Sequence, residues 1–229
     1  MTLYVPFEEL SDRTKHLFKE LRMLGYQNAI KALELVINEM CAEKGYKRYN
    51  GAHYYYHLVD VTQILINMRI KDNEDENLLT ASILHDIVED VPGYTIEKIS
   101  KMFNLRVAQI VKKVTKEKNV DYTKPENLIA YLNIILEDED ATFIKTADRM
   151  NNFATLRYAP FEKKIRQAEE TAAIFIPFFK KARSIYYTHS AFFFSAKTNI
   201  EPLLWEIQAH ADTYLEKETL LQLMNEENK

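Results

Sequence analysis

A chain of 229 residues suits one large domain or two small ones, and its 47% hydrophobic content is ample for a sizeable core. A formal net charge of -4 excludes a global field that recruits nucleic acid, so an anionic substrate needs a local basic patch or a metal. The one cysteine, Cys41, excludes an internal disulfide and fits a reducing cytoplasm.

The N-terminal run, residues 1–8, lacks the basic and then apolar pattern of a signal peptide. The most apolar later stretches, 171–179 and 191–194, are too short to span a bilayer. These features predict a cytoplasmic protein without a membrane segment. Only 4 Gly and 6 Pro, with long Leu/Ile/Lys/Glu-rich segments, predict an all-α fold.

In chain order, 7–24 reads as a first helix, weakened at its start by Ser11 and Asp12 and broken by Gly25. A second runs over 26–43, ended by Lys44-Gly45. Residues 46–56 form a polar, aromatic loop, and His57 opens a helix with an apolar stripe at Val59, Val61, Ile64, Leu65 and Met68. A charged link at 71–76 precedes a helix over 77–91. Thr95 caps a short helix carrying Ile96, Ile99 and Met102, and 107–116 forms another. Pro125 starts the helix 126–136, and 137–140 is a solvated acidic link. Residues 141–156 form a helix with Lys145, Asp148, Asn152 and Thr155 on one side. A long helix over 161–182 has a kink near Pro177, and 184–227 holds one or two helices with Pro202 at a start. No composition shift marks a domain boundary, so 1–229 reads as a single domain.

The chemistry concentrates at Leu84-His85-Asp86-Ile87-Val88-Glu89-Asp90-Val91-Pro92-Gly93. On a helix, His85 and Glu89, and Asp86 and Asp90, are i,i+4 neighbours. Acids that close repel unless a cation sits among them, and Pro92-Gly93 places them at the negative end of the helix dipole. His57 stands between loop and core. Asp148 lies in a buried-looking segment and needs a partner. Two imidazoles and two carboxylates on three helices, His57, His85, Asp86 and Asp148, make a mixed N/O site for a divalent transition metal. A lone His57 would more often be a satisfied structural histidine.

This pattern resembles the HD phosphohydrolase superfamily and, more narrowly, the hydrolase domain of the RelA/SpoT family. Four stretches carry the resemblance, over about residues 20–185: Arg48, Gly51, Tyr54 and His57; the helix from Leu84 to Asp90; Ala147-Asp148-Arg149-Met150-Asn151-Asn152-Phe153-Ala154-Thr155-Leu156; and Glu162-Lys163, Glu170-Thr171 and Pro177. It implies an HD-domain helical bundle that removes pyrophosphate from the 3' position of guanosine tetra- and pentaphosphate, using Mn2+. By position, His57, His85, Asp86 and Asp148 would bind the metal, and Glu89 and Asp90 would handle the nucleophilic water. Arg48 would face a phosphate or the base. Tyr54 would line the nucleoside pocket, with Asn152 and Thr155 reaching the ribose or base.

The chain departs from the family at Tyr49, where a Lys is usual, and at His53 and Leu58, where prolines are common. Lys47 could supply the missing cation from the other side, or the substrate could differ: an adenosine alarmone or the 2'-phosphate of NADPH. A non-catalytic nucleotide sensor or antitoxin-like partner predicts a lost ligand, yet all six acids and histidines are present. A generic helical interaction protein predicts no metal at all. The 229 residues leave no room for the synthetase domain of larger members, so the expectation is a stand-alone small alarmone hydrolase with unassigned C-terminal helices.

Packing is the default for at least two of Tyr54, Tyr55 and Tyr56. It is also the default for Phe175, Phe178, Phe179, Phe192, Phe193, Phe194 and Trp205, although the phenylalanines could form a dimer interface, which leaves homo-oligomerisation open. Lys112, Lys113, Lys116 and Lys118 read as a solvated face before a phosphate-collecting one. The expected partner is a small-molecule nucleotide, with neither nucleic acid nor membrane.

Overall fold

The structure, a computed structural model, describes residues 5–68 and 75–227. The predicted link at 71–76 lies, up to residue 74, outside the described residues. The predicted all-α class holds: among the described residues the sole β-type pairing is an isolated antiparallel bridge between Lys47 and His53. No described helix is long and apolar enough to cross a membrane.

Among the described residues the α-helices are α1 (Asp12–Leu24), α2 (Gln27–Glu39), α3 (Tyr55–Asn67), α4 (Glu76–Leu84), α5 (Ile87–Asp90), α6 (Ile96–Met102), α7 (Leu105–Val114), α8 (Pro125–Ile135), α9 (Glu139–Ala154), α10 (Phe161–Glu170), α11 (Ile176–Ile185) and α12 (Ser190–Glu227). Helices α3, α4 and α9 pack on one another at the centre. Helices α2 and α7 pack on α4, and α12 packs on both α9 and α11. Each fully buried Leu, Ile or Phe side chain in this core contributes about 1.5–3 kcal/mol. Phe143 of α9 stacks on Phe193 of α12 with ring centroids 5.5 Å apart, so these two rings join the C-terminal helix to the central one.

Local chemistry moves several predicted boundaries. The first helix starts at Asp12, because Ser11 is extended and separates off a 3-10 turn at Phe7–Glu9. Gly25, at φ +75°, ends α1 in the left-handed cap that a residue without Cβ adopts freely. The predicted helix over 77–91 is two helices. It is interrupted at His85 and Asp86, where the Ser82 carbonyl accepts from the His85 ring Nδ1 at 2.7 Å. Asn104 caps α7 by accepting from the Val107 amide at 2.9 Å, which starts that helix two residues before the predicted 107.

The predicted 161–182 helix is broken by a π turn at Thr171–Phe175, and Pro177 falls at the start of α11. Pro202 lies inside α12 rather than at a start, and 190–227 is one helix. Trp205 is 67% exposed instead of core, because the inward stripe of α12 runs through Ile200, Leu204 and Ala211. One residue on from Leu204 is about 100° round the helix. Phe194 is also exposed, whereas the other five phenylalanines named above are buried.

The acidic run at 137–140 is not a solvated link. Asp138 caps α9, accepting from the Ala141 amide at 3.1 Å, and Asp140 is buried. Arg106 holds both, donating to the two Asp138 oxygens at 2.6 and 3.0 Å and to Asp140 Oδ2 at 2.5 Å. Acids at a helix N-terminus also meet the positive end of its dipole.

Arg106→Leu is expected to destabilise the fold by about 1–3 kcal/mol, less than the loss of a wholly buried pair because Arg106 is 38% exposed. Burial pushes the Asp138 carboxyl up, but Arg106 and the Ala141 amide outweigh it and hold it below its ordinary value. A lowered carboxyl contributes stability above its unfolded pKa of 3.8 and loses it as the pH falls through the folded one. Denaturant curves of the two proteins should differ most near neutral pH and begin to converge only as the pH falls below about 4. A gap independent of pH would remove the ion pair as its cause.

Candidate metal centre and adjoining pocket

Four side chains from the central helices converge: His57 near the start of α3, His85 and Asp86 at the break between α4 and α5, and Asp148 on α9. His57 Nε2 lies 3.2 Å from Asp148 Oδ1 and 3.7 Å from Asp86 Oδ2. His85 Nε2 lies 3.2 Å from Asp86 Oδ2 and 4.0 Å from Asp148 Oδ1. Ligand atoms of His57, His85 and Asp86 all fall within 4.8 Å of one another.

The outer ring nitrogens define the inner ones. A carbonyl can only accept, so the Ser82 carbonyl fixes a proton on His85 Nδ1 and leaves the Nε2 lone pair facing inwards. His57 Nδ1 is held at 2.7 Å by Asn151 Oδ1 and is oriented in the same sense. Among the described residues, His85 Nε2 is buried without a hydrogen-bond partner. Lone pairs aimed at carboxylate oxygens repel them unless a cation intervenes. Two imidazole nitrogens and two carboxylates therefore fit a divalent ion of borderline softness, with the outer hydrogen bonds that such ligands normally carry.

Asp148 is the most constrained of the four. Its Oδ2 accepts from Lys145 Nζ at 2.8 Å, and its Oδ1 accepts from Asn152 Nδ2 at 2.6 Å. Burial pushes its carboxyl up, but the Lys145 ammonium outweighs this and holds it well below the usual range. Asp86 accepts from the Tyr54 hydroxyl at 2.8 Å. Tyr54 is raised well above the ordinary phenol, first by burial and then by the charges of Asp86 and Asp90.

The two remaining acids stand at the rim. Glu89 is exposed, and its Oε2 accepts from the Lys116 amide at 3.1 Å. Asp90 is pushed up to about 6 by partial burial, then by Asp86 and Glu89.

Beside His57 opens a cavity of about 200 Å³. The turn from Arg48 to Gly51, with Gly51 at φ +80°, projects Arg48 into it. Arg48 Nη2 donates to Thr155 Oγ1 at 2.8 Å and to Asn152 Oδ1 at 3.3 Å, and its guanidinium lies 5.7 Å from the Tyr54 ring centre. These partners are neutral, which leaves the cation available to an anion. Arg13, in contrast, is paired with Asp60 at 2.7 Å. The structure thus brings Arg48, Asn152 and Thr155 together, while Tyr54, predicted to line the nucleoside pocket, is not among the cavity's lining residues and turns its hydroxyl to Asp86. Lys47 is exposed on the turn and does not line the cavity.

Sequence reasoning missed several participants. Asn151 and Ser82 orient the two histidines, and Lys163 lines the cavity mouth, donating to the Tyr49 hydroxyl at 2.7 Å. Lys145 shares the predicted helix face with Asp148, and their i,i+3 spacing is the sequence signal for the ion pair they form. The reading of the 112–118 lysines as one solvated face fails at Lys116, which lies beyond α7, half-buried near Lys145. Lys113 pairs with Glu137 at 3.1 Å.

A family model described as an HD domain matches residues 32–183. The protein named GTP pyrophosphokinase rsh from Brucella ovis is 32% identical over 156 residues, covering 62% of this chain and 20% of that protein. The probable GTP pyrophosphokinase of Mycobacterium leprae is 35% identical over 133 residues, covering 57% and 16%. The bifunctional (p)ppGpp synthase/hydrolase SpoT of Escherichia coli is 32% identical over 141 residues, covering 59% and 19%. This chain thus spans about one fifth of the length of these relatives. A solved metazoan SpoT ortholog, described as hydrolyzing ppGpp, aligns with a TM-score of 0.48 at 21% identity, covering 88% of this chain and 97% of that one. The residues matched by the family model include all four converging side chains, and the chain belongs to the HD domain family, with its likeness running to the RelA/SpoT type.

Proposed function

We propose that the chain is a metal-dependent phosphohydrolase that removes the 3'-diphosphate of guanosine tetra- and pentaphosphate, giving pyrophosphate with GDP or GTP. The observation that carries this is the pair of inward lone pairs on His57 and His85, set against Asp86 and Asp148 and opening on the Arg48 cavity. Relatives named for (p)ppGpp hydrolysis supply the substrate class. The relatives named as GTP pyrophosphokinases are about five times the length of the matched segment, so that name describes far more chain than this site.

His57, His85, Asp86 and Asp148 would hold the ion, for which we propose Mn2+. A bound divalent ion lowers the pKa of water and offsets phosphoryl charge. The chain's own groups do the rest. Arg48, Asn152 and Thr155 hold the nucleotide so that the 3' phosphorus faces the acids. Glu89 and Asp90 take the proton of the attacking water; a carboxylate raised to about 6 is better matched to that task than an ordinary aspartate. The water oxygen bonds to phosphorus, the P–O3' bond breaks, and O3' leaves on the nucleotide and takes a proton. The proposed partner is therefore a small nucleotide, and the proposed setting is the cytoplasm.

Tyr49 favours a second reading on the same scaffold, with an adenosine alarmone or the NADPH 2'-phosphate as substrate. Its ring lies 4.7 Å from Lys163 Nζ and makes an aromatic mouth where the resemblance places a lysine. A substrate screen with the purified protein separates the two.

Purified protein should release pyrophosphate and GDP from guanosine tetraphosphate with Mn2+ and stop when EDTA is added. Retained metal without turnover would refute the guanosine substrate, and no bound metal would refute the class. Asp86→Ala should lose metal by elemental analysis and lower turnover more than about 100-fold. Arg48→Ala should raise KM about tenfold or more, as loss of a charged hydrogen bond does, and change kcat little. An unchanged KM would remove Arg48 from the binding site.

A further inference from the structure

A substrate charged at both ends needs cations on both sides of the bond that breaks. The cavity accounts for one side. Along one face of α9 the groups run in order: Thr155 and Asn152 with Arg48, then Asp148, then Lys145. At about 1.5 Å per residue, the step from Asp148 to Thr155 is about 10 Å and that from Asp148 to Lys145 about 4.5 Å. The longer arm suits a nucleoside with its 5' phosphates. The shorter arm suits one or two phosphoryl groups.

That shorter arm is cationic. Lys145 is 14% exposed and donates to Asp148 Oδ2. Lys116 reaches the same region from the chain after α7, held there by the hydrogen bond its backbone N–H donates to Glu89 Oε2. Its ammonium lies 5.3 Å from the Tyr122 ring centre, with Lys145, Glu89, Glu170 and Asp148 around it. The acids nearby are engaged elsewhere: Glu89 with the Lys116 amide, Glu170 with Arg149, and Asp148 with Lys145, Asn152 and His57. Lys116 makes no ion pair among the described residues, and neither lysine lines the Arg48 cavity. Lys145 Nζ lies 5.7 Å from the Tyr131 ring centre, and the Tyr122 and Tyr131 rings are 5.4 Å apart, so the two ammonium groups flank one aromatic pair and repel unless an anion joins them.

We propose that Lys116 and Lys145 form a diphosphate subsite at the opposite end of the metal cluster from Arg48, holding the phosphoryl groups that depart as pyrophosphate. This rests on the phosphohydrolase reading above. Lysine suits such a role as a compact charge with three rotatable donors. Lys145 also orients Asp148, so Lys116 is the cleaner probe.

The test is calorimetric titration of inorganic pyrophosphate, and separately of GDP, into the full chain with excess Mn2+. Wild type should bind both. Lys116→Met should weaken pyrophosphate about tenfold or more and leave GDP within about twofold, and Lys116→Arg should restore most of the loss. Absence of pyrophosphate binding by wild type, or equal pyrophosphate affinity in Lys116→Met, would overturn the subsite. Equal loss of both ligands would also overturn it, by showing that Lys116 only braces the Glu89 loop. The two readings fail separately. Pyrophosphate binding that depends on Lys116, without hydrolysis of guanosine tetraphosphate, would sink the substrate and keep the subsite. Hydrolysis with pyrophosphate affinity indifferent to Lys116 would do the reverse.

Discussion

Asp148 is a carboxylate inside the core, and most of the architecture can be understood as what that requires. An isolated carboxylate there would cost several kcal/mol or take up a proton. Instead both its oxygens are occupied, by Lys145 and Asn152 from its own helix and by the approach of His57 from α3. Lys145 and Asn152 can serve because a helix places residues three and four apart on the same face. The constraint therefore fixes the register of α9 against α3 and α4, and the aromatic packing of Phe143 on Phe193 locks that register from the far side.

The histidines obey a complementary logic. Each is buried, and each has its outer nitrogen tied to an oxygen outside the cluster. The tie at His85 comes from the carbonyl three residues earlier, where α4 gives way to α5. The interruption and the orientation of the ring are thus one event: the carbonyl that would continue a helix serves the imidazole. The resulting inward lone pairs, rather than the presence of two histidines and two aspartates, are what suit the cluster to a divalent ion in chemical terms.

Much of this was legible in the sequence. The all-α class follows from the scarcity of glycine and proline, and the His57, His85, Asp86 and Asp148 quartet is visible as residue types with spacing. What the sequence hid depends on tertiary neighbours. Glu137 to Asp140 reads as solvated until Arg106, more than 30 residues earlier, closes on it. Lys116 reads as one of a row of surface lysines until the chain beyond α7 turns it towards Lys145. Trp205 reads as core because tryptophan usually is, yet the inward stripe of α12 passes one residue to its side. Ser82 is unremarkable as a side chain, and its contribution comes through the backbone.

The π turn at Thr171–Phe175 has a consequence for phase. A π turn accommodates one residue more than an α-helix does, and one residue is about 100° of rotation. Ahead of it, α10 points Lys163 and Gln167 at the cavity, with Arg149 donating to Gln167 at 2.6 Å and also bonding Glu170. Behind it, α11 points Phe178 and Phe179 into the core. An uninterrupted helix could not keep both faces correctly aimed. The extra residue works as a phase shifter between a segment that faces the Arg48 cavity and one that faces the core. Arg149, with its guanidinium 3.5 Å from the Phe175 ring centre, fastens that shifter to the helix that carries Asp148. A single-residue deletion in 171–175 would leave composition and helicity almost untouched, yet would rotate the pocket wall away from the site it serves.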